Sequence, residues 1–393
     1  MIYFFVGNND GIGGMQNLYL SISNELSNQG IESKIIANLN SYIANELILS
    51  NKSSLLINLK SCETFLKSFD LKDDVIVISG NISGLELIKN LNARILIWNV
   101  FPESLMYSSR IRRIHFKNLT RKLLIYLHSH SSIVFMDKFC FDTNNKIYDM
   151  NYKDGNIIVP VPIITKENSF LKGSHSDKKS IKLTYLGRAS NFKFYPVLRL
   201  VQDLIKMNSE TDLNHSLVII TDNPEEFKQK FKDYSGKVEI SYQKNLVSDN
   251  LDEFLKNNSD IHFGMGLSCL EGAKLGIPSI MLDYGYSEFP DNYEYRWLYK
   301  VSGYILGENI STLKFNGLNN LKSIIEEFSI NKAEISENTF NYVLKYHSIK
   351  PITEKFLSFV RKSNGRLTEF YNMCLANKPL VRFINSSAWK LKE

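Results

Sequence analysis

The sequence predicts an α/β protein of two tandem domains, each built on a parallel sheet covered by helices on both faces. Three observations carry that prediction. Short, almost uninterrupted apolar runs alternate with longer amphipathic segments in the first part of the chain. The alternation stops at a polar stretch, TKENSFLKGSHSDKKS (165–180), and then restarts. Each half opens with a strand that runs into a glycine-bearing turn and a helix: VGNNDGIGGMQNL (6–18) and LTYLGRASNFKFYPV (183–197). Strands without polar alternation are buried on both faces, as in βαβ units.

In the first half IYFFVG (2–7) reads as a strand. Residues 14–29 read as a helix, with Leu18, Ile22 and Leu26 at four-residue spacing. ESKIIAN (32–38), VIVIS (75–79), RILIWNV (94–100), SSIVFMD (131–137) and NIIVPVP (156–162) are further strands. After the polar linker come strands at 181–187, 216–222, 237–242, 260–266 and 278–283, with helices at 195–207, 224–233, 249–257 and 268–275 between them. From about residue 335 the pattern is helical to the end. The predicted domains are 1–165 and 166–345, both Rossmann-like and facing a cleft, with terminal helices at 346–393.

At 393 residues the chain exceeds one ordinary core. It is 44% hydrophobic and 22% charged, the composition of a globular protein. A net charge of +6 is mild for this length and argues against a nucleic-acid partner. Cys62, Cys140, Cys269 and Cys374 form no C-x-x-C and predict reduced thiols in a cytoplasmic protein. MIYFFVGNND lacks the basic start of a signal peptide, and no apolar run is long enough to span a membrane.

Three stretches carry candidate chemistry. In the first turn Gly11, Gly13 and Gly14 let backbone N–H groups approach an anionic ligand at a helix start, or simply shape the turn. A dinucleotide site is disfavoured: Gln16 stands where the third glycine of G-x-G-x-x-G belongs, and the second strand ends Ala37-Asn38 without an acid. No P-loop is present. In the second stretch Arg188 and Lys193 follow a strand, where a bidentate guanidinium and a point charge suit a diphosphate, though two solvated cations fit equally. The third is GMGLSCLEGAKLGIPSIMLD (264–283). There Ser268 and Glu271 fit an S-x-x-E capping box, and Glu271 also suits a pair of vicinal ribose hydroxyls.

The order glycine turn, G-R-x4-K, then L-E with a following G-x-P is similar to the GT-B glycosyltransferases. It most closely resembles the large retaining group that carries E-x7-E, found among bacterial surface-polysaccharide (capsule or O-antigen) transferases. The resemblance implies that Arg188 and Lys193 hold the donor diphosphate and Glu271 the ribose, with Gly276 and Pro278 shaping the next loop. It implies that Gly13 and Gly14 face the donor across the cleft, and that the terminal helices cross back onto the first domain with Trp389 as an anchor. Phe263 replaces the first glutamate of E-x7-E, so Gly264, Met265 and Gly266 are expected to offer backbone N–H groups instead. The first-domain loop IWNVFPESL (97–105) lacks the family's histidine and leaves Glu103 as candidate base, with His128 and His130 as the other local candidates. Asp283 and Glu288 read as a charged rim.

No D-x-D stands at a strand end, which fits a metal-free mechanism with no cofactor beyond the nucleotide-diphosphate sugar. Residues 108–130 carry six Arg and Lys and no acid on an amphipathic segment. They suit an anionic membrane surface or an acidic partner, and an ordinary solvated helix fits about equally; the resemblance, whose members often act on lipid-linked saccharide acceptors at the inner face of the cell membrane, implies the membrane. The expected activity is sugar transfer from a nucleotide-diphosphate donor to a saccharide acceptor. The alternatives are a nucleotide-sugar epimerase of the same fold and a non-catalytic nucleotide-sugar-binding protein.

Overall fold

The computed structural model describes residues 1–7, 13–79, 85–102, 110–153, 155–165, 180–211, 213–244 and 246–375. For 110–116, 155, 374 and 375 it describes the backbone alone. Among the described residues the chain divides into two compact units: one is Met1–Pro162 with the helices that follow Ser348, and the other is Ile163–Ser348.

The first unit holds six strands, β1 (Ile2–Gly7), β2 (Ser33–Ala37), β3 (Leu56–Asn58), β4 (Val75–Ile78), β5 (Arg94–Asn99) and β6 (Ile133–Phe135). Helices α1 (Gly14–Asn28), α2 (Tyr42–Leu49), α3 (Cys62–Leu66), α4 (Arg110–Ser129) and α5 (Lys138–Ile147) lie between or after them. The sheet order is β3-β2-β1-β4-β5-β6, parallel throughout. Every residue of β1 and β4 is buried, as two-sided cover requires. The chain reverses its direction of winding between β1 and β4, which makes that point the crevice of this sheet.

Two departures from the sequence reading have plain causes. NIIVPVP is not a strand: Ile158 makes one bridge to Phe135, and Pro160 and Pro162 lack the N–H groups a ladder needs. Its backbone still docks, because the Val159 N–H reaches the Phe135 carbonyl at 2.7 Å and the Trp98 indole donates to the Val159 carbonyl at 3.0 Å. Strand β3 was not foreseen, since three edge residues are too few to show a period.

The second unit repeats the plan. Its strands are β7 (Lys182–Leu186), β8 (Ser216–Thr221), β9 (Glu239–Lys244), β10 (Ile261–Gly264), β11 (Ser279–Met281) and β12 (Arg296–Trp297). Its helices are α6 (Asn191–Glu210), α7 (Pro224–Lys230), α8 (Ser248–Asn258), α9 (Leu267–Ala273) and α10 (Leu321–Tyr346). The sheet order is β12-β11-β10-β7-β8-β9, with β12 antiparallel and the rest parallel. The winding reverses between β7 and β10, whose ends are level: Leu186 pairs with Gly264.

After α10 come α11 (Ile349–Lys362) and α12 (Leu367–Leu375), and both belong to the first unit. Phe356 of α11 is fully buried, stacked 6.0 Å from Phe4 and 5.2 Å from Trp98 between ring centroids. Arg94 holds the end of α11, donating to the carbonyls of Val360, Arg361 and Ser363 at 2.9–3.4 Å. The linker 166–179 and the terminal residues 376–393, including Trp389, lie outside the described residues.

Candidate functional site

The carboxyl ends of β7 and β10 are neighbours at the reversal point of the second sheet, where ligands bind in open α/β folds. Two of the three predicted stretches follow these two strands. After β7, Gly187 is required by a close approach: a Cβ there would run into the Tyr185 hydroxyl, which is buried without a hydrogen-bond partner among the described residues. Arg188 follows and is exposed. Ser190 is the N-cap of α6, but its hydroxyl does not cap the helix; it is buried and unpartnered among the described residues.

Lys193 lies in the first turn of α6, which contains no acid. A helix dipole disfavours a cation there and welcomes an anion. Burial first, and the neighbouring Arg188 charge second, push the Lys193 ammonium down to about 8, with Asp222 opposing them. Asp222 itself was not singled out from sequence. It closes β8 and accepts the Ala189 N–H at 2.8 Å, so it shapes the loop that carries Arg188. An acid at a strand end beside the reversal point was the available signal.

The start of α6 is further held by Pro196. A proline inside a helix leaves the carbonyl four residues earlier without its donor. That carbonyl belongs to Phe192, and the Gly285 N–H takes it at 3.3 Å. The loop after β11 is thereby tied to the first turn of α6.

The β10–α9 turn differs from the capping box. The helix begins at Leu267 with Gly266 as N-cap at φ 62°, and no side chain caps it. Ser268 is its second residue. A Cβ on Gly264 would sit 2.7 Å from the Cys269 nitrogen and 2.8 Å from the Ser268 carbonyl carbon, so glycine lets strand and helix close up. The Gly266 N–H donates to the Leu306 carbonyl at 2.7 Å and is already engaged. Met265 is buried. Phe263 is buried inside β10, edge-on to Tyr295. Glu271 keeps 22% of its side chain exposed and pairs through Oε2 with Lys274 at 2.6 Å.

His262 lies within β10. It is fully buried between Thr184, 2.9 Å from Nδ1, and the Ser268 carbonyl, 2.8 Å from Nε2. A carbonyl only accepts, so Nε2 carries the proton and Nδ1 accepts from the Thr184 hydroxyl. Burial holds the ring neutral, with its pKa down to about 4. It pins α9 to the sheet.

In the first unit, Gly13 is the extended N-cap of α1 and Gly14 its first residue. Gly11 and Glu103 lie outside the described residues. The His128 ring stacks on Tyr152 at 3.7 Å, and burial lowers its pKa to about 4. His130 hydrogen-bonds the Tyr126 carbonyl through Nδ1 at 2.8 Å. On α4 Arg121 and Lys122 are exposed, whereas Lys117 pairs with Asp149 at 2.6 Å. Asp283 is not on a rim. It is fully buried, 2.5 Å from Arg296, and burial raises its carboxyl to about 6 against that pairing. Glu288 is exposed. No group of three or more potential metal ligands occurs among the described residues, and no helix there is long and apolar enough to cross a membrane.

No protein-family model and no curated protein sequence matches the chain. Solved structures do. The lipopolysaccharide outer core galactosyltransferase WaaB in its apo form superposes with a TM-score of 0.54 at 10% identity, covering 92% of this chain and 99% of that one. WaaG, a glycosyltransferase involved in lipopolysaccharide biosynthesis, gives 0.53 at 12% identity over 92% and 99%. An alpha-glucosyltransferase in complex with UDP gives 0.53 at 10% identity over 91% and 99%. The fold is that of the GT-B glycosyltransferases. At such identities the likeness concerns the fold alone.

Proposed function

We propose that this protein is a glycosyltransferase that moves a sugar from a nucleotide-diphosphate donor to a saccharide acceptor, lipid-linked, in surface-polysaccharide synthesis. The observation that carries the reading is the first turn of α6. Arg188 and Lys193 stand close enough for one to depress the other, at a helix N-terminus without an acid, beside the buried and unpartnered Ser190 hydroxyl. Burying the Lys193 ammonium beside a second cation is costly, and Asp222 offsets that cost only in part.

A diphosphate relieves that cost. Arg188 grips one phosphate bidentately and Lys193 places a charge on the other. As the sugar–phosphate bond breaks, negative charge grows on the leaving diphosphate, and both cations stabilise it more in the transition state than in the ground state. The same residues supply the neutralisation that a metal supplies elsewhere, so turnover is expected to persist in EDTA. Glu271, on the helix after β10, accepts the ribose hydroxyls. Arg121 and Lys122 on α4 offer charge to an anionic membrane, each contributing roughly 1 kcal/mol near such a surface.

The test is a panel of nucleotide sugars incubated with and without lipid-linked saccharide acceptors, with nucleoside diphosphate release as readout. Acceptor-dependent release supports transfer. Binding without turnover on any acceptor supports a non-catalytic role, and an acceptor-free change of the donor sugar supports epimerisation.

A further inference from the structure

Glu271 is one corner of a triad. Lys274, the C-cap residue of α9, reaches Glu271 Oε2 at 2.6 Å and Asp252 Oδ1 on α8 at 2.8 Å. The side chains of Lys274 and Asp252 are only 12% and 14% exposed. Burial alone would pull the ammonium down, but the two carboxylates outweigh it and hold it charged, with its pKa raised. Two acids on one base leave an excess negative charge in the triad. Among the described residues no hydrogen bond reaches Glu271 Oε1.

A glutamate on an exposed helix face samples many rotamers and must give them up to bind. A carboxylate offers about four lone-pair sites, so fixing one oxygen leaves the other able to accept. We propose that Lys274 and Asp252 are a positioning pair that fixes the Glu271 carboxylate and thereby sets a preference for ribonucleotides over 2′-deoxynucleotides. The proposal rests on the reading of Glu271 as the ribose ligand. Lys274 forms an ion pair with each acid, one on α8 and one on α9, and its charge keeps the two carboxylates from repelling each other. Neither residue needs to touch the nucleotide.

The test uses the full chain and calorimetric titration with UDP, GDP, ADP and CDP, each against its 2′-deoxy counterpart. A hydrogen bond to a charged acceptor predicts about tenfold or greater preference for the best ribonucleotide. Lys274→Met is expected to narrow that ratio to about twofold or threefold, while Lys274→Arg, which keeps the charge, restores most of it. Asp252→Asn carries the same test if Lys274→Met fails to fold, and lies between the two. A Lys274→Met protein that discriminates as the native chain does, while Glu271→Gln does not, overturns the positioning role alone. Undiminished discrimination in Glu271→Gln overturns the ribose reading instead, and the positioning role with it.

Discussion

Lys193 gives the sharpest prediction. Its pKa falls from 10.5 to about 8 in the unliganded protein. At roughly 1.4 kcal/mol per pH unit this fall is about 3.5 kcal/mol held against the charged form, reduced to about 2 to 3 kcal/mol by partial exposure. A bound diphosphate returns that energy by pairing with the ammonium. Binding near pH 8 should therefore take up about half a proton, seen as a dependence of the titration enthalpy on buffer ionisation enthalpy. Roughly nine-tenths of Lys193 is protonated at pH 7 and one-tenth at pH 9, so diphosphate affinity should fall about tenfold between them. Lys193→Arg, charged throughout, should flatten that profile at high affinity. Lys193→Met should flatten it at low affinity. By the same linkage the depressed pKa costs the native state stability below pH 8. Lys193→Met should thus stabilise the unliganded protein by about 1 to 2 kcal/mol in urea at pH 7. No proton uptake, together with a pH profile unchanged in Lys193→Met, would refute the diphosphate role.

Other consequences follow from single contacts. His262 is fully buried and neutral with a pKa of about 4, below its unfolded value of 6.5. Its contribution is complete above pH 6.5 and is lost as pH falls from there toward 4, about 3 kcal/mol in all. Urea unfolding across that window should show a shallower loss in His262→Gln than in the native chain. Gly264→Ala places a methyl against backbone that cannot yield, and should cost about 1 to 3 kcal/mol in thermal or urea unfolding. Phe356→Ala empties the space between Phe4 and Trp98 and should cost about 3 to 5 kcal/mol, read as a lowered unfolding midpoint.

Much of the fold was legible because strands buried on both faces leave continuous apolar runs. β1, β4, β5, β7 and β8 were each read within two residues of their ends. Strands β3 and β12 were too short to carry a pattern, and the prolines of NIIVPVP broke a ladder that composition alone suggested. Arg188 and Lys193 stand out in the sequence as a candidate pair because strand–glycine–cation is a local pattern. The cap at Ser268 misread a helix whose start is set by the crowding at Gly264 and the positive φ of Gly266. Asp222, Asp252, Lys274 and His262 act across strands and helices, and sequence order does not display such contacts. Asp283 looked like a rim acid because a carboxylate after a strand usually faces water; its partner Arg296 lies on an antiparallel edge strand that the pattern did not reveal.

The most direct test of the central claim is affinity as a function of phosphate number. Calorimetry should rank a nucleoside diphosphate above its monophosphate by about tenfold and far above the free nucleoside, with the ranking collapsing in Arg188→Ala. Equal affinity for nucleoside and diphosphate, or a ranking unchanged in Arg188→Ala, would contradict the account.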